Sequence, residues 1–159
     1  SWRLTLMAYF VSDEFPDIDH EKLLKMCLIH DLGEAFTGDI PSFDKSAADE
    51  EMESRLLSDW AASLPEPFAT EMTALYTEMD ALESTEAKIY KALDNMEALI
   101  QHNEADLSTW IPLEYELQFT YGTKESEAFP YIKRLRAEID RITQEKIENH
   151  RRKNEIKKK

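Results

Sequence analysis

The sequence predicts an all-α fold, a compact helical bundle closed by a long C-terminal helix, on three observations. Apolar residues recur at three- and four-residue spacing along most of the chain, the period of a helix with one buried face. Only three glycines and six prolines occur in 159 residues, too few for the turns of an all-β domain. The periodic stretches are separated by short breaks, at Pro16, at Pro65-Glu66-Pro67 and at Glu83-Ser84-Thr85. At this length, with 42% hydrophobic and 33% charged residues, one domain with a proper core is expected over residues 1–149, followed by a frayed basic tail over 150–159.

The chain opens at Ser1 to Val11 already amphipathic, as if entering inside a helix. Asp13 to Asp19, with Pro16, make a polar connection. Asp19 is placed to cap a helix through Leu23, Leu24, Cys27 and Leu28 whose end carries His30 and Asp31. From Asp44 to Leu64 a helix is marked by Met52, Leu56, Leu57, Trp60, Ala61 and Leu64, with Asp49-Glu50-Glu51 at the end where helix polarity favours acids. After the Pro65-Glu66-Pro67 stop, Phe68, Met72, Leu75, Tyr76 and Met79 share a face read as core.

Ser84 or Thr85 caps the next helix, which runs to about His102 and packs through Ile89, Leu93, Met96 and Ile100. Asp106 to Tyr121 reads as a loop and a short amphipathic helix whose aromatics pack over the bundle or form a dimer surface; for Trp110, core packing is favoured over lining the mouth of a pocket. The last helix, about Glu125 to Asn149, spaces Ile132, Leu135, Ile139 and Ile142 in a coiled-coil-like seam that can dock on its own domain or on a second copy. His20, His102 and His150 are read as surface residues.

Charge and cysteine content narrow the function. Nineteen Lys and Arg stand against 33 acids, a formal net charge of −14, which repels nucleic-acid backbones and argues against general nucleic-acid binding. The same field repels a small phosphate ester unless local cations or a metal compensate. Cys27 is the only cysteine, which excludes a disulfide framework and a cysteine-rich zinc site and makes a reduced, cytoplasmic setting the expectation. It is read as core packing. No apolar run reaches membrane-spanning length.

One stretch does not fit a core segment. Between Cys27 and Pro41 an apolar run delivers His30 and Asp31, then Glu34, then Asp39 in a loop that Gly38 turns and Pro41 closes. On a helix, Glu34 returns to roughly the face of His30. An imidazole and carboxylates suit a first-row divalent ion, and positions left open by protein are where water or a phosphoryl oxygen binds. Taken alone, a His-Asp pair is more often a satisfied buried imidazole. Asp94 poses the same question, because it sits beside the packing stripe, where a bare carboxylate is costly to bury. A surface pairing with Lys91, worth only ~0.2–0.5 kcal/mol, is the alternative to a bound cation.

The pattern His30-Asp31-x-x-Glu34-Ala35-x-x-Gly38-Asp39-Ile40-Pro41 resembles the HD superfamily of metal-dependent phosphohydrolases, in the branch containing the 5′-deoxynucleotidases. A second block, Ser84-Thr85-Glu86-Ala87-Lys88 followed by Lys91 to Gln101, resembles that branch's Thr-x-Glu-Ala helix. The resemblance implies an HD-type bundle and one divalent transition ion, whether Co, Mn, Zn, Fe, Ni or Cu, with Mg a further option. It makes His30, Asp31 and Asp94 ligands, together with a histidine that the family places just before the position of Ser1. It makes Glu34 and Asp39 the groups that orient water and move protons. Lys91, Lys45 and Arg3 are weaker candidates for holding phosphate.

The activity so implied is hydrolysis of a (deoxy)nucleoside 5′-monophosphate. A different HD phosphohydrolase, acting on a cyclic, polyphosphorylated or alarmone nucleotide, and a non-catalytic metal- or nucleotide-binding module are the alternatives. The expected partner is a nucleotide or another small phosphorylated substrate, with a homodimer as the possible assembly and no membrane.

Overall fold

The computed structural model describes residues 2–38 and 46–157 and is all-α, with no strand among the described residues. Its helices are α1 (Trp2–Phe10), α2 (His20–Ile29), α3 (Glu34–Thr37), α4 (Ala47–Ser63), α5 (Phe68–Ala81), α6 (Thr85–Glu104), α7 (Pro112–Thr120), α8 (Thr123–Glu127) and α9 (Pro130–Lys157). Short 3-10 turns occupy Ser12–Glu14 and Leu107–Thr109. Internal contacts divide the chain into two compact units, Ser1–Tyr90 and Lys91–Lys159.

In the first unit, local chemistry sets the helix starts. Asp19 caps α2 by accepting from the Lys22 amide at 3.0 Å. Ser46 and Asp49 form a reciprocal capping box at the start of α4. The Ser84 hydroxyl accepts from the Ala87 amide, settling which of the two candidates caps α6. Each such cap satisfies a donor that the helix itself cannot. Glu86 reaches back from α6 to accept the Asp19 amide at 2.9 Å, which gives that motif glutamate a structural task in joining two helix starts.

α1 packs on α2, α2 and α4 pack on α5, and α3 packs on α4. Leu4, Ala8, Leu23, Met26, Cys27, Ile29, Leu75 and Met79 are buried, each large side chain among them contributing roughly 1.5–3 kcal/mol of transfer free energy. Cys27 is fully buried, as expected. The α4 and α5 stripes are only partly core: Phe68 is 55% exposed and Met52 45% exposed.

In the second unit, α9 begins at Pro130 and runs to Lys157, past the expected end near Asn149 and through most of the basic stretch. Its buried stripe is Ile132, Arg136, Ile139 and Thr143, while Ile142 is exposed. The seam is thus rotated from the all-apolar one, and its two polar members are bonded. The Arg136 guanidinium donates to the carbonyls of Gln118 and Tyr121 and to Asp140 Oδ1; Thr143 donates to the Ile139 carbonyl and accepts from Asn103.

Gly122 precedes α8 with φ of 68°, and a Cβ there would lie 2.6 Å from Asn95 Cβ. Backbone conformation and space both demand glycine at that turn.

The three histidines read as surface residues are each half-buried. His102 stacks on Trp110 with ring centroids 4.0 Å apart, and its Nδ1–H donates to Gln118 Oε1 at 2.8 Å. Lys146 closes this cluster by donating to the carbonyls of Asn103 and Ala105 at the end of α6, where a cation complements unpaired carbonyls.

Candidate functional site

The apolar face of α2 buries Leu23, Met26, Cys27 and Ile29 and delivers His30 at the helix end as its C-cap. The helix stops there. Residues 30–33 form successive turns, with Leu32 N–H bonded to the Ile29 carbonyl and Glu34 N–H to the Asp31 carbonyl, before α3 starts at Glu34. Glu34 therefore stands on a separate short helix, and the one-turn spacing argued for a continuous helix does not apply to it. Gly38, with φ of 82°, ends α3 as the sharp turn its position suggests.

The His30 ring is fixed from three directions. Nδ1 stands 3.0 Å from the Cys27 carbonyl, which only accepts, so Nδ1 carries the proton. The edge of Tyr90 lies against the ring, centroids 5.9 Å apart. Nε2 stands 2.7 Å from Asp31 Oδ1. With Nδ1–H committed, Nε2 either bears a second proton or presents a lone pair to a carboxylate. Two lone pairs at that separation repel each other, so the pair calls for a positive charge, a proton or a metal cation, between imidazole and acid.

This donor chemistry fits a divalent ion, whose histidine ligands commonly donate their other N–H to a carbonyl. Burial works to raise the Asp31 pKa, and the hydrogen bond and charge of His30 lead the effects that leave it below the ordinary carboxylate value.

Tyr76, from α5, donates its hydroxyl to the Ile29 carbonyl at 2.9 Å and so holds the residue before His30. Its own pKa is pushed by burial to about 12. Neither Tyr76 nor Tyr90 was singled out for this task by sequence spacing. A tyrosine on a packing stripe carries no mark of what its hydroxyl reaches.

His30, Asp31 and Glu34 belong to the first unit, and so does Arg3, half-buried on α1. Lys91 and Asp94 belong to the second. There, Lys91 Nζ lies 2.8 Å from Asp94 Oδ2. Burial pulls the Lys91 pKa down, but the Asp94 charge and hydrogen bond outweigh it and the net shift is upward. The pairing set against a bound cation in the sequence is thus formed. Asp39 and Lys45 lie outside the described residues. Within either unit, no three His, Cys, Asp or Glu side chains among the described residues gather in ion-holding geometry. Among the described residues no helix is long and apolar enough to cross a membrane.

Comparison with known proteins gives this arrangement its context. The chain is 30% identical over 105 residues to the 5′-deoxynucleotidase HDDC2 of Bos taurus, covering 65% of this chain and 50% of that protein. It is 31% identical over 105 residues to the Danio rerio 5′-deoxynucleotidase HDDC2, covering 65% and 52%. The chain thus spans about half the length of these curated relatives. A solved structure, a predicted metal-dependent phosphohydrolase of Magnetospirillum magnetotacticum, superposes with a TM-score of 0.74 at 27% identity, covering 92% of this chain and 76% of that one. The family model for the HD domain matches residues 1–136. That match runs through the His30-Asp31 pair, the Glu34 turn and Asp94 and takes in most of the sequence, so the chain belongs to the HD domain family.

Proposed function

We propose that this chain carries the catalytic site of a metal-dependent phosphohydrolase that removes the phosphate from (deoxy)nucleoside 5′-monophosphates. The observation that carries this reading is the fixed orientation of His30. Its Nδ1–H is committed to the Cys27 carbonyl and its Nε2 faces Asp31, immediately before a turn that ends in Glu34. The names of the relatives supply the substrate class.

His30 and Asp31 are the ligands of the first unit. Asp94 is added on the family pattern. A divalent first-row ion held there supplies Lewis-acid polarisation of the phosphoryl group and a lowered pKa for the attacking water.

The remaining work falls to the protein. Glu34 takes a proton as water attacks phosphorus, the new P–O bond forms, and the bond from phosphorus to the 5′ oxygen breaks. The proton then passes to the leaving 5′ oxygen, yielding a nucleoside and inorganic phosphate. Asp39 is the second candidate for this transfer on the family pattern alone, and Arg3, Lys45 and Lys91 are candidates for the phosphate oxygens. Lys91 is already engaged with Asp94, which assigns it more naturally to holding that acid.

A cytoplasmic setting, supported by the single buried cysteine, and a homodimer belong to the same reading. Light scattering on the purified protein tests the dimer. The function itself is tested by phosphate release from a panel of deoxynucleoside monophosphates with cobalt or manganese added. Release is expected; its complete absence with both metals defeats the proposal.

A further inference from the structure

α3 is a single turn of four residues, with no side-chain cap at its start. A helix that short does not hold itself in water, so the position of Glu34 is set by what packs against the turn. Two contacts from α4 do this. Phe36 and Trp60 place their rings 6.2 Å apart, and Glu53 spans the length of α3 with one carboxylate. Glu53 Oε2 accepts from the Thr37 hydroxyl at 3.1 Å. At the other end, a Cβ built on Gly33 would meet Glu53 Cγ at 2.9 Å and Oε1 at 3.0 Å. Gly33 itself has φ of −59° and ψ of −36°, a conformation any residue adopts. Its lack of a side chain serves space alone, and the space is filled by Glu53.

From this geometry we propose that Glu53 is a positioning residue: by seating on Gly33 and bonding Thr37 it fixes where the Glu34 carboxylate stands, without touching substrate. The catalytic consequence rests on the reading of Glu34 as the proton carrier. Small displacements of a proton-transfer group are costly, about a hundredfold for a misplacement near 1 Å. Losing the clasp is therefore a rate effect rather than a binding effect.

The test compares Glu53→Ala, Glu53→Gln and Gly33→Ala with Glu34→Gln in the manganese-loaded protein. It reads kcat, KM, metal content and hydrogen exchange of residues 33–38. Gly33→Ala displaces only the flexible Glu53 side chain and serves if Glu53→Ala folds poorly. Glu53→Ala and Gly33→Ala are expected to lower kcat about tenfold or more, with KM and metal content unchanged and exchange across 33–38 accelerated. Glu53→Gln keeps an oxygen for Thr37 and restores most of the rate. Combined with Glu34→Gln, Glu53→Ala adds no further loss. Unchanged exchange at 33–38 in Glu53→Ala overturns the proposal, and so does an unimpaired kcat where Glu34→Gln is impaired. An unimpaired Glu34→Gln removes the proton role of Glu34, and the exchange result then decides by itself whether Glu53 holds the turn.

Discussion

His30 and His102 are both half-buried imidazoles bonded through Nδ1, one in each unit, and they differ in what the second nitrogen meets. His30 Nδ1 is tied to a backbone carbonyl and Nε2 faces a carboxylate at 2.7 Å, at a helix end followed by an acid-bearing turn. His102 Nδ1 is tied to a buried glutamine, its face is stacked on Trp110, and its buried Nε2 has no hydrogen-bond partner among the described residues, Glu114 Oε1 lying 3.6 Å away. The first environment collects negative charge around a lone pair. The second wraps an imidazole in aromatic and amide surface and uses it to pack the end of α6 against α7. How closely a carboxylate approaches the second nitrogen, 2.7 Å at His30 against 3.6 Å at His102, separates a candidate ligand from a structural histidine more than burial does.

The largest effect that sharpens this contrast is loss of the ion. Asp31→Ala and Asp94→Ala are each expected to abolish bound metal and turnover together, read by elemental analysis and phosphate release. Retained stoichiometric metal in both variants would remove these acids from the ligand set. His102→Ala is expected to keep its metal under the same conditions.

Next comes Glu34→Gln, which should leave metal content intact while lowering kcat about 10²–10⁴-fold. An unimpaired enzyme takes Glu34 out of proton transfer. On the structural side, Trp110→Ala should cost about 3–5 kcal/mol of stability, as truncation of a buried aromatic does, with metal bound normally in the folded protein. Thermal unfolding against metal content separates the two sides of the comparison. A Trp110 variant that folds as well as the parent while losing metal would break it.

The smallest effect is a pH dependence near His30. Tyr76 ionises near 12 in the folded chain instead of near 10, so the folded state holds a proton that the unfolded chain gives up. Its contribution is whole below about pH 10 and is lost as pH rises towards 12. Tyr76→Phe is expected to flatten that alkaline loss in denaturant titrations; an unchanged slope assigns it to other groups.

Much of the fold was legible because its signals are local. Asp19 as a cap, the stop at Pro65-Glu66-Pro67 and the start of α6 at Ser84 follow from chemistry within four residues. The buried stripe of α9 was not legible, because Arg136 and Thr143 occupy core positions whose cost is met by carbonyls and amides far along the chain. The half-buried state of His102 escaped for the same reason, its partners Trp110 and Gln118 being visible only once α6 and α7 are packed. In the site, residue types identified His30, Asp31 and Glu34 as candidates, and the turn at Gly38 was marked by its glycine. Tyr76, Tyr90 and Glu53, which orient those residues, carry no sequence signature, since each acts on a backbone carbonyl, a ring face or an absent side chain.

An anomalous-difference map from crystals soaked in manganese or cobalt tests the metal assignment of His30 without relying on turnover. One peak is expected about 2 Å from His30 Nε2, bonded also to a carboxylate oxygen of Asp31. A soaked crystal with no peak at His30, or with its metal bound elsewhere, contradicts the assignment.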